Sequence, residues 1–327
     1  MLKAEVPRVV ADIAPVHSLV SMVMDGVGEP QLLIRQNMSP HHYSMRPSEA
    51  KALQEADLVV YVGRDMTPWL EPLFRTVATS PHVLDLSEVD GVLVLPYREG
   101  PVFGDHEGHD DHEEEGHDDH EEEGHDDHEG HDDHEEEGHD DHEEEGHDDH
   151  EGHDHEGNDP HMWLDPVNAL VWLDAIASEL RHIDPENAER YSANAKSAKD
   201  EIMHEIHHIE DHLKTVQGKS YLVFHDAYQY FENRFGITAT GSISLSDASK
   251  PSSRRLRELK HLFEEQAISC VLSEPQFSSK LIDSVFGGYK PHIGVVDPIG
   301  IDLKLGPTLY TTLLEGVTLG IADCVNH

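Results

Sequence analysis

Residues 105–159 divide the chain in two and cannot belong to a folded core. They contain 31 acidic residues, 15 histidines and no lysine or arginine. The repeating unit is GHDDHE, often extended by two glutamates, and residues 130–151 repeat residues 108–129 without a change. Such a composition buries too little apolar surface to offset the entropy of ordering. We therefore expect a disordered insert over residues 105–157 in the absence of metal.

The remainder of the chain has the size and charge of an ordinary globular protein. The full 327 residues carry a formal net charge of −44, of which −13 lies outside residues 105–159. A chain of this length predicts two domains. Phosphate binding requires clustered Lys and Arg, so the acidic balance excludes nucleic acid as a partner and favours divalent cations.

Strand-like and helix-like segments alternate on both sides of the insert. Apolar runs predict strands at 8–11, 31–34, 58–62, 221–224, 267–272 and 293–296. Helical spacing predicts helices at 15–26, 47–56, 165–183, 185–216, 253–266, 279–286 and 309–323. Ser48 is the predicted N-cap of the helix 47–56, and Pro166 the first residue of the helix 165–183. This alternation is typical of an α/β layer fold.

Membrane and compartment signals are weak in this sequence. No run approaches the roughly 20 apolar residues of a membrane helix, so no transmembrane segment is predicted. No apolar h-region follows the first residues, MLK, which fits either a cytosolic protein or a mature form. Cys270 and Cys324 are either two buried thiols or one disulfide.

Several candidate metal ligands fall in predicted loops, mostly just beyond strand ends. They are His41, His42, His161, His225 and Asp297. Open α/β sheets bind ligands beyond the carboxyl ends of their strands, and three imidazoles with a carboxylate or water form a tetrahedral zinc set. The remaining histidines of the globular parts that we considered lack such placement and are interpreted as surface or capping residues: His17, His82, His182, His212, His261 and His292.

Residues 204–208 (HEIHH) match the H-E-x-x-H motif of zinc proteases. The motif lies in a long, highly charged predicted helix, where such a string arises easily by chance. We therefore favour a binding protein over a protease. A zinc enzyme built on the three candidate histidines, and an adhesin or metal-storage protein, are the alternative classes.

Five motifs resemble those of the zinc-binding components of ABC transporters. They are residues 39–48 (SPHHYSMRPS) with 56–63 (ADLVVYVG), 159–166 (DPHMWLDP), 224–228 (FHDAY), 273–277 (SEPQF) and 296–300 (VDPIG). The resemblance covers nearly the whole chain outside the insert. It implies a monomeric, non-enzymatic protein that captures Zn²⁺ in the periplasm and delivers it to an inner-membrane ABC permease.

The resemblance also implies a fold and a set of ligands. The fold has two Rossmann-like α/β lobes, residues 1–164 and 185–327, joined by one long rigid helix over residues 165–184. A disulfide would join Cys270 to Cys324. The zinc ligands that match are His41, His161 and His225. A carboxylate replaces His225 in manganese-binding relatives, so imidazole there favours zinc.

The fourth ligand remains open in this comparison. Asp297 matches a carboxylate ligand of some relatives, while a water or a glutamate completes the site in others. Some zinc proteins have that glutamate just before the first ligand, where this chain has Pro40. Because imidazole must be neutral to bind metal, we expect zinc affinity to fall below about pH 6.

The histidines of the insert form a second candidate zinc site without preorganised geometry. The residues in its repeats are His109, His112, His117, His120, His125, His128, His131, His134, His139, His142, His147 and His150. Each ion bound there would carry an ordering cost, so we predict a weaker, auxiliary store that raises the local zinc concentration. The alternative is a solvated acidic tether.

Overall fold

Short apolar runs form the central strands of two parallel sheets in the computed structural model. The structure describes residues 6–41, 43–76, 81–98, 100, 102–103, 157–244, 252–265, 268–277, 282, 286, 289 and 291–327. The strands are β1 Val9–Ala11, β2 Gln31–Leu32, β3 Leu58–Tyr61, β4 His82–Asp85, β5 Tyr221–His225, β6 Gly241–Ser244, β7 Cys270–Ser273 and β8 His292–Val295. The insert and most of the predicted helix 279–286 lie outside the described residues.

Both sheets have the same topology. The strand orders are β2-β1-β3-β4 and β6-β5-β7-β8, and all pairings are parallel. The central strands β1, β3, β5 and β7 are buried throughout, which explains their continuous apolar runs. The strand order reverses between β1 and β3 in the first sheet and between β5 and β7 in the second. Such a reversal opens a crevice at the carboxyl ends of the strands.

The helices confirm the predicted α/β alternation. They are α1 Ala14–Val23, α2 Pro47–Glu55, α3 Glu71–Thr76, α4 Pro166–Ile183, α5 Ala188–Leu213, α6 Gln229–Phe235, α7 Ser253–Glu265 and α8 Leu309–Asn326. Asp165 caps α4, because its side chain accepts a 2.8 Å hydrogen bond from the Val167 N–H. The helices α4 and α5 follow the first sheet in sequence and precede the second. The predicted lobe boundaries at residues 164 and 184 stay predictions.

Three details of the helices differ from the sequence prediction. The N-cap of α2 is Arg46 and not Ser48, because the helix begins at Pro47, as predicted, and the Glu49 carboxylate accepts the Arg46 N–H at 2.7 Å. The segment 185–216 begins with a 3₁₀ turn at Pro185–Asn187 before α5. His17, expected at the surface or in a cap, is buried in α1 with its Nε2 3.1 Å from the Pro30 carbonyl.

The helix α8 packs closely on the second sheet. A disulfide joins Cys270 of β7 to Cys324 of α8, with 5.5 Å between the two Cα atoms, as the resemblance implied. Gly294 and Gly320 allow this approach: a Cβ on Gly294 would lie 2.6 Å from the Cys324 Cβ, and one on Gly320 3.0 Å from the Val295 carbonyl. No described helix has both the length and the apolar character required to cross a bilayer.

The described residues on either side of the insert are paired with the folded part. On the N-terminal side, Val102 forms an antiparallel bridge with Gly241, and the Phe103 N–H donates to the Thr240 carbonyl at 2.8 Å. On the C-terminal side, Asn158 forms an antiparallel bridge with Pro96. Hydrogen bonds therefore fix the chain where it leaves the fold and where it returns.

Candidate metal centre

Three histidines from separate loops meet in one cleft. One ring nitrogen from each of His41, His161 and His225 lies within 4.8 Å of those of the other two. The ring centroids are 4.9–6.2 Å apart. Tetrahedral zinc with Zn–N bonds of about 2.0–2.1 Å needs nitrogens about 3.4 Å apart. Small side-chain movements therefore suffice to place all three nitrogens on one ion.

His41 lies between β2 and α2 in a loop that is held from two sides. The Trp69 indole N–H donates to the Pro40 carbonyl at 3.0 Å. Gln36 donates from Nε2 to the carbonyls of Gly300 and Leu303 at 2.5 and 2.7 Å. Because Gly300 and Leu303 follow β8, Gln36 links the His41 loop to a loop of the second sheet. His42, the alternative first ligand, lies outside the described residues.

His161 is buried just before α4 and is oriented by a carboxylate. Asp159 Oδ1 lies 2.7 Å from His161 Nδ1 and also accepts the His161 backbone N–H at 2.9 Å. With Nδ1 protonated and donating to Asp159, Nε2 carries the lone pair that a metal needs. Burial raises the pKa of Asp159 to about 7, although the His161 backbone N–H and Arg98 oppose this shift.

His225 is the last residue of β5, at the crevice where the strand order of the second sheet reverses. Glu274 follows the neighbouring strand β7, and its Oε1 lies 3.2 Å from His225 Nδ1. The other oxygen of Glu274 accepts a 2.7 Å bond from Gln276 Nε2. Both His225 and Glu274 are buried. The parallel register of β5 and β7 thus brings a carboxylate beside the imidazole.

Asp226, the residue after His225, is committed to a buried ion-pair network. Arg98 Nε donates to both oxygens of Asp226 at 3.1 Å, and Nη1 donates to Glu232 Oε2 at 2.6 Å. Burial raises the pKa of Glu232, while Arg98 opposes that shift. Arg98 therefore neutralises part of the charge of two carboxylates beside β5, and Asp226 is bonded to Arg98 rather than to the histidines.

Asp297 is occupied by backbone donors. Its carboxylate accepts three N–H groups, from residues 299–301, at 2.5–3.1 Å. Among the described residues, the group of ligand atoms around His41 does not include it. These bonds hold the loop after β8, whose Pro298 carbonyl accepts from Trp163 Nε1 at 2.7 Å. The role of Asp297 as fourth ligand stays a prediction.

The walls of the cleft are largely apolar. Besides the histidines, Met66, Trp163, Pro298 and Ile299 line it. An apolar wall excludes water, which strengthens the electrostatic attraction between a bound cation and its ligands. The geometry suits a dehydrated metal ion held mainly by nitrogen.

Comparison with known proteins agrees with this geometry. A family model described as zinc-uptake complex component A, periplasmic (ZnuA), matches residues 9–324. The chain belongs to the ZnuA family. High-affinity zinc uptake system proteins ZnuA from Brucella suis biovar 1 (strain 1330) and Paracoccus denitrificans (strain Pd 1222) are 39% and 42% identical to it. Each alignment covers 99% of this chain and 93% of the relative.

A solved structure extends the comparison to the fold. A ZnuA deletion mutant with zinc bound matches with a TM-score of 0.71 and 20% identity, covering 98% of each chain. The predicted α/β architecture and family are therefore confirmed. ZnuA-family proteins are transport components, which also confirms the prediction that the chain is not an enzyme.

The H-E-x-x-H string has a different environment in this ZnuA-family chain. His204 and His208 are exposed on α5, with ring centroids 4.4 Å apart. In the part of the chain that the structure describes, no third ligand joins them in a group. This string therefore adds no support to the protease alternative.

Sequence reasoning did not find the partners of the imidazoles. Asp159 and Glu274 were noted as members of motifs, but their contacts with His161 and His225 depend on loop geometry and strand pairing. The Asp-Pro-His spacing was the available signal for Asp159, since a carboxylate two residues earlier folds back onto a backbone N–H. Glu274 had no comparable local signal.

Proposed function

We propose that this chain captures Zn²⁺ in the periplasm through His41, His161 and His225 and delivers it to an inner-membrane ABC permease. The meeting of three imidazoles from three loops, in a member of a zinc-uptake family, carries the proposal. Nitrogen-rich donor sets suit zinc better than manganese or magnesium. Water or Asp297 would complete the coordination.

Capture follows from the orientation of the imidazoles. Asp159 accepts from Nδ1 of His161, which leaves Nε2 of that ring for the ion, and the Glu274 carboxylate lies 3.2 Å from Nδ1 of His225. Because His161 and His225 are buried and the loop of His41 is held by hydrogen bonds before zinc arrives, little ordering remains to oppose binding. This arrangement supports a high-affinity site.

Release requires the loops around the ion to move. The hydrogen bonds from Gln36 join the His41 loop to the loop after β8. Docking on the permease would separate these loops and withdraw His41, the least buried of the three ligands. A rigid connecting helix between lobes 1–164 and 185–327 would keep larger lobe motions small, and the chain would act as a monomer.

A periplasmic location has two supports besides the family. The Cys270–Cys324 disulfide persists in an oxidising compartment. The acidic balance of the chain also suits a protein that gathers cations outside the cytoplasm. We further propose that the insert histidines, which lie outside the described residues, serve as an auxiliary zinc store.

The tryptophans provide a readout that distinguishes zinc bound in the cleft from zinc bound on the insert. Trp163 packs against His161 with ring centroids 5.3 Å apart, and Trp69 holds the loop of His41. The insert contains no tryptophan. Zinc in the cleft should therefore change tryptophan fluorescence, while zinc on the insert should appear only in the calorimetric stoichiometry.

The test is a zinc titration with both readouts on three proteins. They are the full chain, a His41→Ala/His161→Ala/His225→Ala variant, and a variant lacking residues 105–155. We expect the triple variant to lose the fluorescence change and the tight site, and the deletion to keep both with a lower stoichiometry. If the triple variant retains tight binding and the deletion loses it, the insert is the main site, which would favour storage over delivery.

A further inference from the structure

A second group of metal-ligating side chains lies on the surface, away from the cleft. It comprises His292 at the start of β8 and Asp323 and His327 at the end of α8. Ligand atoms of the three residues lie within 4.8 Å of one another. The imidazoles of His292 and His327 are stacked, with centroids 5.1 Å apart and an interplanar angle of 16°. We propose that this group is a second, solvent-open Zn²⁺ site.

The donor set fits zinc. Two imidazoles and a carboxylate, with water completing a tetrahedron, form a common zinc arrangement. His327 Nδ1 lies 2.8 Å from the Asp323 carbonyl and 3.5 Å from the Asp323 carboxylate. When Nδ1 donates to that carbonyl, Nε2 of His327 carries the lone pair for the metal. The protein thus already supplies the tautomer that a ligand needs.

The backbone around the group is held in place without the metal. Cys324, next to Asp323, is joined by the disulfide to β7, which pairs with β8. Gly294, two residues after His292, allows the α8 backbone to approach β8 at Cys324. The two elements that provide the ligands are therefore tied together beside the site. This reduces the ordering cost that a surface site ordinarily carries.

His261, another exposed histidine of the described chain, lacks the third ligand that distinguishes the proposed site. His261 and Glu265 form an i, i+4 pair on α7 at 3.2 Å, and within the described residues no third ligand from another element joins them. His292 supplies that third ligand across to α8. Because all three side chains are exposed, we expect binding weaker than in the buried cleft.

Anomalous diffraction at the zinc edge tests the proposal directly on the full-length protein. Crystals soaked in zinc should show one peak among His41, His161 and His225 and a second among His292, Asp323 and His327. The cleft peak is the internal control for zinc loading. A loaded cleft with no peak at the surface group would overturn the proposal.

Hydrogen exchange gives the matching test in solution. Zinc at about 100 times the Kd of the surface site should slow exchange by local opening of residues 292–295 and 321–327 by about a hundredfold. The His292→Gln/His327→Gln variant should lose this slowing and keep the protection around residues 39–41 and 159–165. The control variant His261→Gln should behave as the native chain. If zinc protects residues 292–295 and 321–327 in the double variant as strongly as in the native chain, the proposed surface site is wrong.

Discussion

At the scale of single residues, two carboxylates outside the three-histidine group lie beside the candidate metal centre. Asp159 lies 2.7 Å from Nδ1 of His161, and Glu274 lies 3.2 Å from Nδ1 of His225. The hydrogen bond to Asp159 fixes the ring orientation of His161, and the carboxylate of Glu274 raises the basicity of the neighbouring His225 imidazole as a ligand. The zinc affinity of the site should therefore be sensitive to substitution of Asp159 and Glu274, which contact the histidines rather than the ion.

We expect Glu274→Gln to weaken zinc binding in the cleft by about 10- to 100-fold, the usual effect of losing such a partner. The amide keeps the size of the side chain but removes the charge beside His225. A chelator-competition titration followed by tryptophan fluorescence measures the change. Glu265→Gln, at an exposed Glu paired with His261, is the matched control. Equal affinities for the two variants would show that Glu274 does not orient His225.

Asp12 makes a separate prediction about stability. It is buried at the end of β1 and accepts the N–H groups of Val62 and Ile13 at 2.9 and 2.7 Å. Burial raises its pKa to about 7 from 3.8. The folded state therefore holds a proton that the unfolded chain has lost between about pH 4 and 7, so this group lowers the free energy of unfolding as pH rises.

Asp12→Asn should flatten that dependence by up to about 1.4 kcal/mol per pH unit, the value for one proton. Urea unfolding at several pH values between 4 and 7 measures the slope. Asp57→Asn is the control, because hydrogen bonds from Arg8 lower the pKa of Asp57 and place its titration below this range. A slope unchanged by Asp12→Asn would mean that Asp12 titrates normally.

The three histidines that the structure brings together could be singled out from the sequence, and the carboxylates beside them could not. Motifs and strand ends indicated His41, His161 and His225, because loops after parallel strands converge. Glu274 faces His225 only through the pairing of β5 with β7, and His292 meets His327 only through the packing of α8. Such contacts join residues distant in sequence, which no local pattern encodes.

At the scale of secondary-structure elements, α8 contains a matched pair of glycines. A Cβ on Gly320 would lie 2.5 Å from Val296 Cγ1 and 3.0 Å from the Val295 carbonyl, while one on Gly316 would meet nothing within 4 Å. Both residues lie within the same helix. Substituting each glycine by alanine therefore separates the effect of close packing on stability from the effect of helix propensity.

We expect Gly316→Ala to raise the free energy of unfolding by about 0.5–1 kcal/mol through helix propensity. Gly320→Ala should lower it by about 1–3 kcal/mol, because α8 must move away from β8. Urea unfolding of the two variants and the native chain measures both effects. Stabilisation by both substitutions would show that α8 has room to shift at Gly320.

Elements with strong patterns were predicted well, and polar edge strands were missed. The bounds of α4 were predicted to within one residue because Asp165, Pro166 and a long apolar stripe define it. The strand β4 is partly exposed, and β6 has the polar sequence GSIS, so neither has the apolar run of a central strand. Pairing with a buried neighbour, rather than propensity, makes them strands.

At the scale of the whole molecule, the cleft couples the two sheets. His41 follows a strand of the first sheet and His225 ends a strand of the second, so one ion would bind loops from both. Zinc at 100 times its Kd should stabilise the folded protein by about 2.7 kcal/mol. Thermal unfolding with and without zinc measures this, with the triple histidine variant as control. A similar zinc-induced shift in that variant would assign the stabilisation to another site.

The paired chain on both sides of the insert has a consequence for how this protein can change over generations. Because residues 102–103 and 158 are bonded to the fold, the number of GHDDHE units between them is not set by the cleft. Doubling a flexible loop costs only about 0.6 kcal/mol. We therefore expect gain or loss of a repeat such as 108–129 to leave the candidate metal centre intact. On the proposal that the insert stores zinc, repeat number is a trait on which selection can act separately, matching storage capacity to how scarce the metal is.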